Sequence, residues 1–85
     1  MRIEPEDLKA ARDRLSRVAG QVNALVKMID EGRDCTEILT QLSAASTALT
    51  RAGFNIISTG MAQCANDATG DEARAKLEKA FMALA

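Results

Sequence analysis

From Leu8 onward, apolar residues recur at steps of three and four: Leu8, Ala11, Leu15, Val18, Val22, Leu25 and Ile29, widened by Ala19 and Val26. That period predicts a helix over about 6–31, started by Pro5 and closed by Gly32. Asp34 with Glu37 three residues on has the form of a capping box for a second helix. Ile38, Leu42, Ala45, Leu49, Ala52 and Ile56 keep the rhythm, and nothing stops it before Cys64 or Ala65. A helix over about 35–65 is ~45 Å long. Asn66 to Gly70 reads as a turn, and Asp71 as the cap of a shorter helix over about 71–84 carrying Ala73, Leu77, Ala80, Phe81 and Leu84. The fold expected is all-α, a single domain of three helices spanning 1–85.

Those stripes are wider than one short chain can cover. Eighty-five residues bury only about 60–65% of their unfolded surface. The chain is 47% hydrophobic but only 2% aromatic, Phe54 and Phe81 being its two rings. The heptad-like spacing therefore predicts antiparallel packing between subunits. No apolar run approaches the ~20 residues of a membrane span, so a cytoplasmic protein without a membrane partner is expected. Histidine is absent, which excludes His-based acid–base catalysis and most zinc chemistry. A thiol enzyme would need a base, an oxyanion site and a pocket. The plain helical stripes suggest none of these, and no enzyme and no cofactor are expected.

Two features stand out from this plain background. Cys35 opens the second helix and Cys64 ends it, about 43 Å apart along the axis and almost eight whole turns apart in phase. They cannot meet within one chain. They do meet if two copies of the helix pack antiparallel about an axis between Leu49 and Thr50, Cys35 of one facing Cys64 of the other. The helix start favours negative charge at Cys35, while Asp34 and Glu37 oppose it. The competing reading is that both thiols are small buried hydrophobes. The second feature is a net +4 between positions 9 and 27, from Lys9, Arg12, Arg14, Arg17 and Lys27 against Asp13, within a chain of net charge -1. Arg51 lies near the proposed axis. These bases are candidates for phosphate contacts, or simply a solvated helix face.

The runs RLSRVAGQV at 14–22, MIDEGRDC at 28–35 and TQLSA at 40–44 resemble the copper-sensing repressor (CsoR-type) family from about Leu8 to Cys64. The resemblance implies a three-helix subunit, an antiparallel dimer and a disc-shaped tetramer, a dimer of dimers that binds double-stranded operator DNA and is released by ligand or thiol chemistry. It turns the bases Lys9, Arg12, Arg14, Arg17 and Arg51, chosen by charge, into candidate DNA contacts, and it assigns sensing to Cys35 and Cys64. Copper sensors of the family carry a histidine four residues before the second cysteine, where Gly60 stands here, and commonly a tyrosine where Asp34 stands. Formaldehyde sensors have proline after Met1, where Arg2 stands. A cysteine pair without histidine is similar to the persulfide-sensing (CstR-type) branch. The expectation is a repressor in which low-molecular-weight persulfides join Cys35 and Cys64 of neighbouring subunits by a di-, tri- or tetrasulfide. The alternative inducer is Cu(I), held by the same two thiolates with Met61 as a soft neighbour.

Overall fold

A computed structural model describes residues 1–65 and 70–85; most of the turn expected at Asn66–Gly70 lies outside them. The regular elements among the described residues are all helical: a 3-10 turn at Pro5–Leu8, then α1 (Lys9–Asp30), α2 (Cys35–Cys64) and α3 (Gly70–Leu84). Pro5 starts the chain's first turn as expected, but that turn is 3-10, closed by the Asp7 amide on the Glu4 carbonyl at 3.0 Å. Leu8, the last residue of that turn, is also the N-cap of α1, where φ -109° and ψ 16° break the helical path.

The α1–α2 connection is set by local chemistry at both ends. At Gly32, φ is +69°, a left-handed value that costs a residue without a Cβ nothing. The Gly32 amide bonds Ile29 O and the Arg33 amide bonds Met28 O, each at 3.0 Å. That is the paired closure of a Schellman motif. Two residues later the Asp34 carboxylate accepts from the Thr36 and Glu37 amides at 3.0 and 3.4 Å and from the Thr36 hydroxyl. Only half of the expected capping box forms. Glu37 pairs instead with Arg33, the cation one turn before it. At α3 the helix begins at Gly70, one residue before the expected cap, and Asp71 and Glu72 sit in its first turn, where acids suit the helix dipole.

α2 is the spine on which the other elements lie. α1 packs on it through Ala11, Val18 and Leu25, seven apart, against a seam that includes Ala45 and Ala52. α3 folds onto the second half of α2, where Leu77 lies over Gly60 and Leu84 over Gly53. A Cβ at either glycine would come within 3.0 Å of a leucine methyl, so the close approach of α3 depends on both. Phe54 and Phe81 stack at 5.3 Å between centroids across the same joint. Gly70 is tied more tightly still, since a Cβ there would collide with the Cys64 carbonyl oxygen.

The apolar stripe of each long helix serves two surfaces. Leu15, Val22, Val26 and Ile29 of α1 and Leu39, Leu42 and Leu49 of α2 remain exposed, Ile29 to 63%. The radius of gyration is 16.3 Å, against about 12 Å for a compact chain of this length. An uncovered apolar face on an elongated subunit is what the predicted subunit packing requires.

The cap gives the fold a pH signature. Hydrogen bonds from the Thr36 hydroxyl, then the Glu37 and Thr36 amides, hold the Asp34 carboxyl below its ordinary value of 3.8. A carboxyl depressed on folding stabilises above its unfolded pKa and loses that contribution as pH falls through the folded one. Asp34→Ala is therefore expected to lower the thermal midpoint at neutral pH and to flatten its acid dependence below about pH 4, in melts followed by circular dichroism.

Candidate functional site

Arg14, Arg17 and Gln21 project from successive turns of α1, at steps of three and four. Thr40, Ser43, Ala44, Thr47, Ala48 and Arg51 do the same on α2. Because the helices run antiparallel, the two rows line one open groove of about 650 Å³. Its chemistry is three guanidinium groups above a floor of hydroxyls and small side chains. Among the described residues, none of the three arginines is within 4.0 Å of a carboxylate, although Arg17 adds to the positive field on Asp13.

The other predicted bases are placed differently. Lys9 donates to Asp13 at 2.8 Å, holding that carboxyl below the usual range, and Arg12 lies 3.7 Å from the same residue. Lys27 is 3.9 Å from Glu31. All three have i,i+4 or adjacent partners and none lines the groove. Of the five predicted DNA contacts, Arg14, Arg17 and Arg51 converge, while Lys9 and Arg12 stand apart. Gln21, Thr40, Ser43 and Thr47 escape a reading of charge alone. Their helical spacing from Arg14, Arg17 and Arg51 is the available signal.

The thiols sit at the two ends of α2, as its length dictates. Cys35 is exposed in the first turn, and Cys64 is buried in the last, only 3% accessible. α2 is unbroken between them, so a direct bond within one subunit is excluded. Around Cys64 the N-terminal segment closes on the helix. The Cys64 thiol approaches Met1 Sδ at 3.6 Å, and Gln63 Nε2 donates to Asp7 Oδ2 at 3.1 Å. Met61, the expected soft neighbour, faces elsewhere, into an apolar groove with Phe54, Ile57, Phe81 and Met82. A residue three before Cys64 points roughly 60° away from it around the helix. The thioether beside Cys64 comes from Met1, a tertiary contact with no local sequence signal.

Gly60, one turn before Cys64, is buried under Leu77 and near Met1 Cε. A histidine there would have to displace both. No group of three or more His, Cys, Asp or Glu side chains gathers among the described residues. The donors at hand are two thiols and a thioether, soft ligands that suit Cu(I) rather than ions preferring imidazole or oxygen.

A family model described as metal-sensitive transcriptional repressor matches residues 7–85. The chain belongs to that family. Its members repress transcription and are not enzymes, and this chain is a repressor of the CsoR type. It is 37% identical over 75 residues to the copper-sensing transcriptional repressor RicR of Mycobacterium tuberculosis, covering 85% of this chain and 78% of that one. Identity to the copper-sensing transcriptional repressor CsoR of Bacillus subtilis is 30% over 73 residues, covering 81% and 72%. The uncharacterized protein YrkD of Bacillus subtilis is 40% identical over 40 residues, 47% of this chain and 64% of that one. No solved structure matches the repressor. No helix among its described residues is long and apolar enough to cross a membrane.

Proposed function

We propose that this repressor binds operator DNA through the groove of Arg14, Arg17 and Arg51, repeated across an antiparallel oligomer, and that reactive sulfur joining Cys35 of one subunit to Cys64 of another releases it. The exposed apolar face of α1 and α2 supports the oligomer, since Val22, Val26, Leu42 and Leu49 need a covering surface. Antiparallel α2 helices would bring Arg51 close to its own copy and each Cys35 close to a Cys64. Arg forks suit phosphate oxygens, and hydroxyls on the groove floor add neutral donors.

The observation that carries the sulfur reading is the donor set: two thiols, no histidine in the chain, and a glycine filled by Leu77 at position 60. Sulfur transfer from a persulfide R–S–SH to one thiolate gives a protein persulfide and R–S⁻. Attack on its inner sulfur by the partner thiolate forms a disulfide and expels hydrosulfide. Attack by a partner persulfide anion forms a trisulfide, again with loss of hydrosulfide. A longer bridge would join thiols too far apart for a disulfide, which needs Cα atoms within about 7 Å. Either bridge constrains α2 against its partner and so alters the spacing of paired arginine grooves.

Cu(I) is the second reading, and the names of the relatives favour it. RicR and CsoR are both called copper-sensing, and neither is named a sulfur sensor. Cys35 and Cys64 from two subunits would hold the ion, with Met1 Sδ beside them in place of an imidazole.

Intact mass under denaturing, non-reducing conditions, after treating reduced protein with glutathione persulfide, separates the two. Dimers carrying whole added sulfur atoms, together with loss of operator binding, are expected. Unmodified monomers from a protein that leaves DNA on Cu(I) addition would overturn the sulfur reading in favour of copper. In the same binding assay, Arg14→Gln, Arg17→Gln and Arg51→Gln are each expected to reduce the salt slope by about one for every phosphate that the missing guanidinium no longer neutralises. Lys9→Gln and Arg12→Gln should change it less, and equal effects from all five would remove the groove's special role.

A further inference from the structure

Besides the arginine groove, a second cavity among the described residues places a thiol beside charged side chains. Cys64 lies in a pocket of about 480 Å³ between the N-terminal segment and α3, walled by Met1, Arg2, Gln63, Glu72 and Lys76. Its volume falls within the ~300–1,000 Å³ of small-molecule sites. The thiol is covered, at 3% exposure, with Met1 Sδ against it, so a reagent held in the adjoining pocket reaches it when the Met1 side chain swings aside. Arg2 and Lys76 come from opposite walls and present two cations. Glu72 supplies one acid, held 3.6 Å from Lys76 in an exposed pair that opens at little cost.

We infer that this pocket is a recognition site for low-molecular-weight thiol compounds bearing a carboxylate and an ammonium group, with Arg2 and Lys76 taking the carboxylate, Glu72 the ammonium, and Cys64 the sulfur. This deepens the reactive-sulfur reading, on which its covalent step rests. In that step the Cys64 thiolate attacks the outer sulfur of an amino-acid persulfide. The new bond forms at Cys64 as the donor's own S–S bond breaks, and the donor leaves as a thiolate facing the two cations. The sulfane sulfur of the donor is the only oxidising equivalent consumed. Met1 lies over the thiol at 3.6 Å and keeps an apolar contact beside the incoming sulfur, leaving charge recognition to the walls. Cys35 has no such surroundings: it is exposed in the first turn of α2, beside Asp34 and an Arg33–Glu37 pair.

Alkylation of reduced full-length protein by iodoacetate and by neutral iodoacetamide, read cysteine by cysteine from peptide masses, tests the pocket without assuming an inducer. Arg2→Gln combined with Lys76→Gln is expected to lower the iodoacetate-to-iodoacetamide rate ratio at Cys64 about fivefold, the size of partly exposed charge contacts, and to leave Cys35 unchanged. Glu72→Gln, a substitution of opposite sign, is expected to raise the Cys64 ratio. A ratio at Cys64 indifferent to both variants overturns the proposal. Glutathione and cysteamine persulfides then test the covalent step, the cysteamine donor lacking a carboxylate. If neither persulfide modifies Cys64 while the charge variants still move the alkylation ratio, the reactive-sulfur reading falls and the pocket's selectivity stands.

Discussion

Thirty residues of unbroken α2 keep the two cysteines apart, and the rest of the molecule is arranged around that separation. One end of the helix is fixed by the Asp34 cap and the Gly32 closure. The other is buried under α3 and the N-terminal segment. At about 1.5 Å per residue the helix acts as a rod of roughly 43 Å between its thiols. Any chemistry that uses both cysteines at once must recruit a second subunit. In the proposed function, quaternary structure is thereby part of the sensing site.

The same rod carries the surfaces proposed for that second subunit and for DNA. Its small residues, Ala45 and Ala52, admit α1 closely, and Gly53 and Gly60 admit α3. Leu39, Leu42 and Leu49 point away from both and remain uncovered. The polar row from Thr40 to Arg51 faces Arg14 and Arg17. One helix thus presents three features on different faces: an uncovered apolar row, a basic groove and a thiol at each end. A crosslink or a shared ligand at the ends would constrain the faces between them, because one unbroken helix carries them all.

Much of this is legible in the sequence because it depends on local physics. The three-and-four period defines α1 and α2, and Gly32 and Asp34 mark the boundary between them. What is not legible depends on tertiary choice. Glu37 finds a competing cation in Arg33 and leaves the capping box half made. The wide apolar stripe of α1 divides into an inner row at Ala11, Val18 and Leu25 and an outer row at Val22, Val26 and Ile29, a division the period alone does not reveal. Lys9 and Arg12 look equivalent to Arg14 and Arg17 by charge, yet Asp13 occupies the first two. Met1 reaches Cys64 from the far end of the chain, while Met61, adjacent in sequence, turns to the aromatic groove. Gly60 stands out in the sequence as a missing histidine. Its packing against Leu77 shows the space already taken.

The central claim is that Cys35 and Cys64 act together only between subunits, and mixing two single-thiol variants tests it most directly. Cys35→Ser and Cys64→Ser proteins, treated separately with glutathione persulfide, should give no peptide linking positions 35 and 64. Unfolded together, refolded as mixed oligomers and treated in the same way, they should give that linked peptide, joining one chain of each kind. A 35–64 linkage within single wild-type chains, or its absence from the mixture when wild-type oligomers form it, would contradict the account.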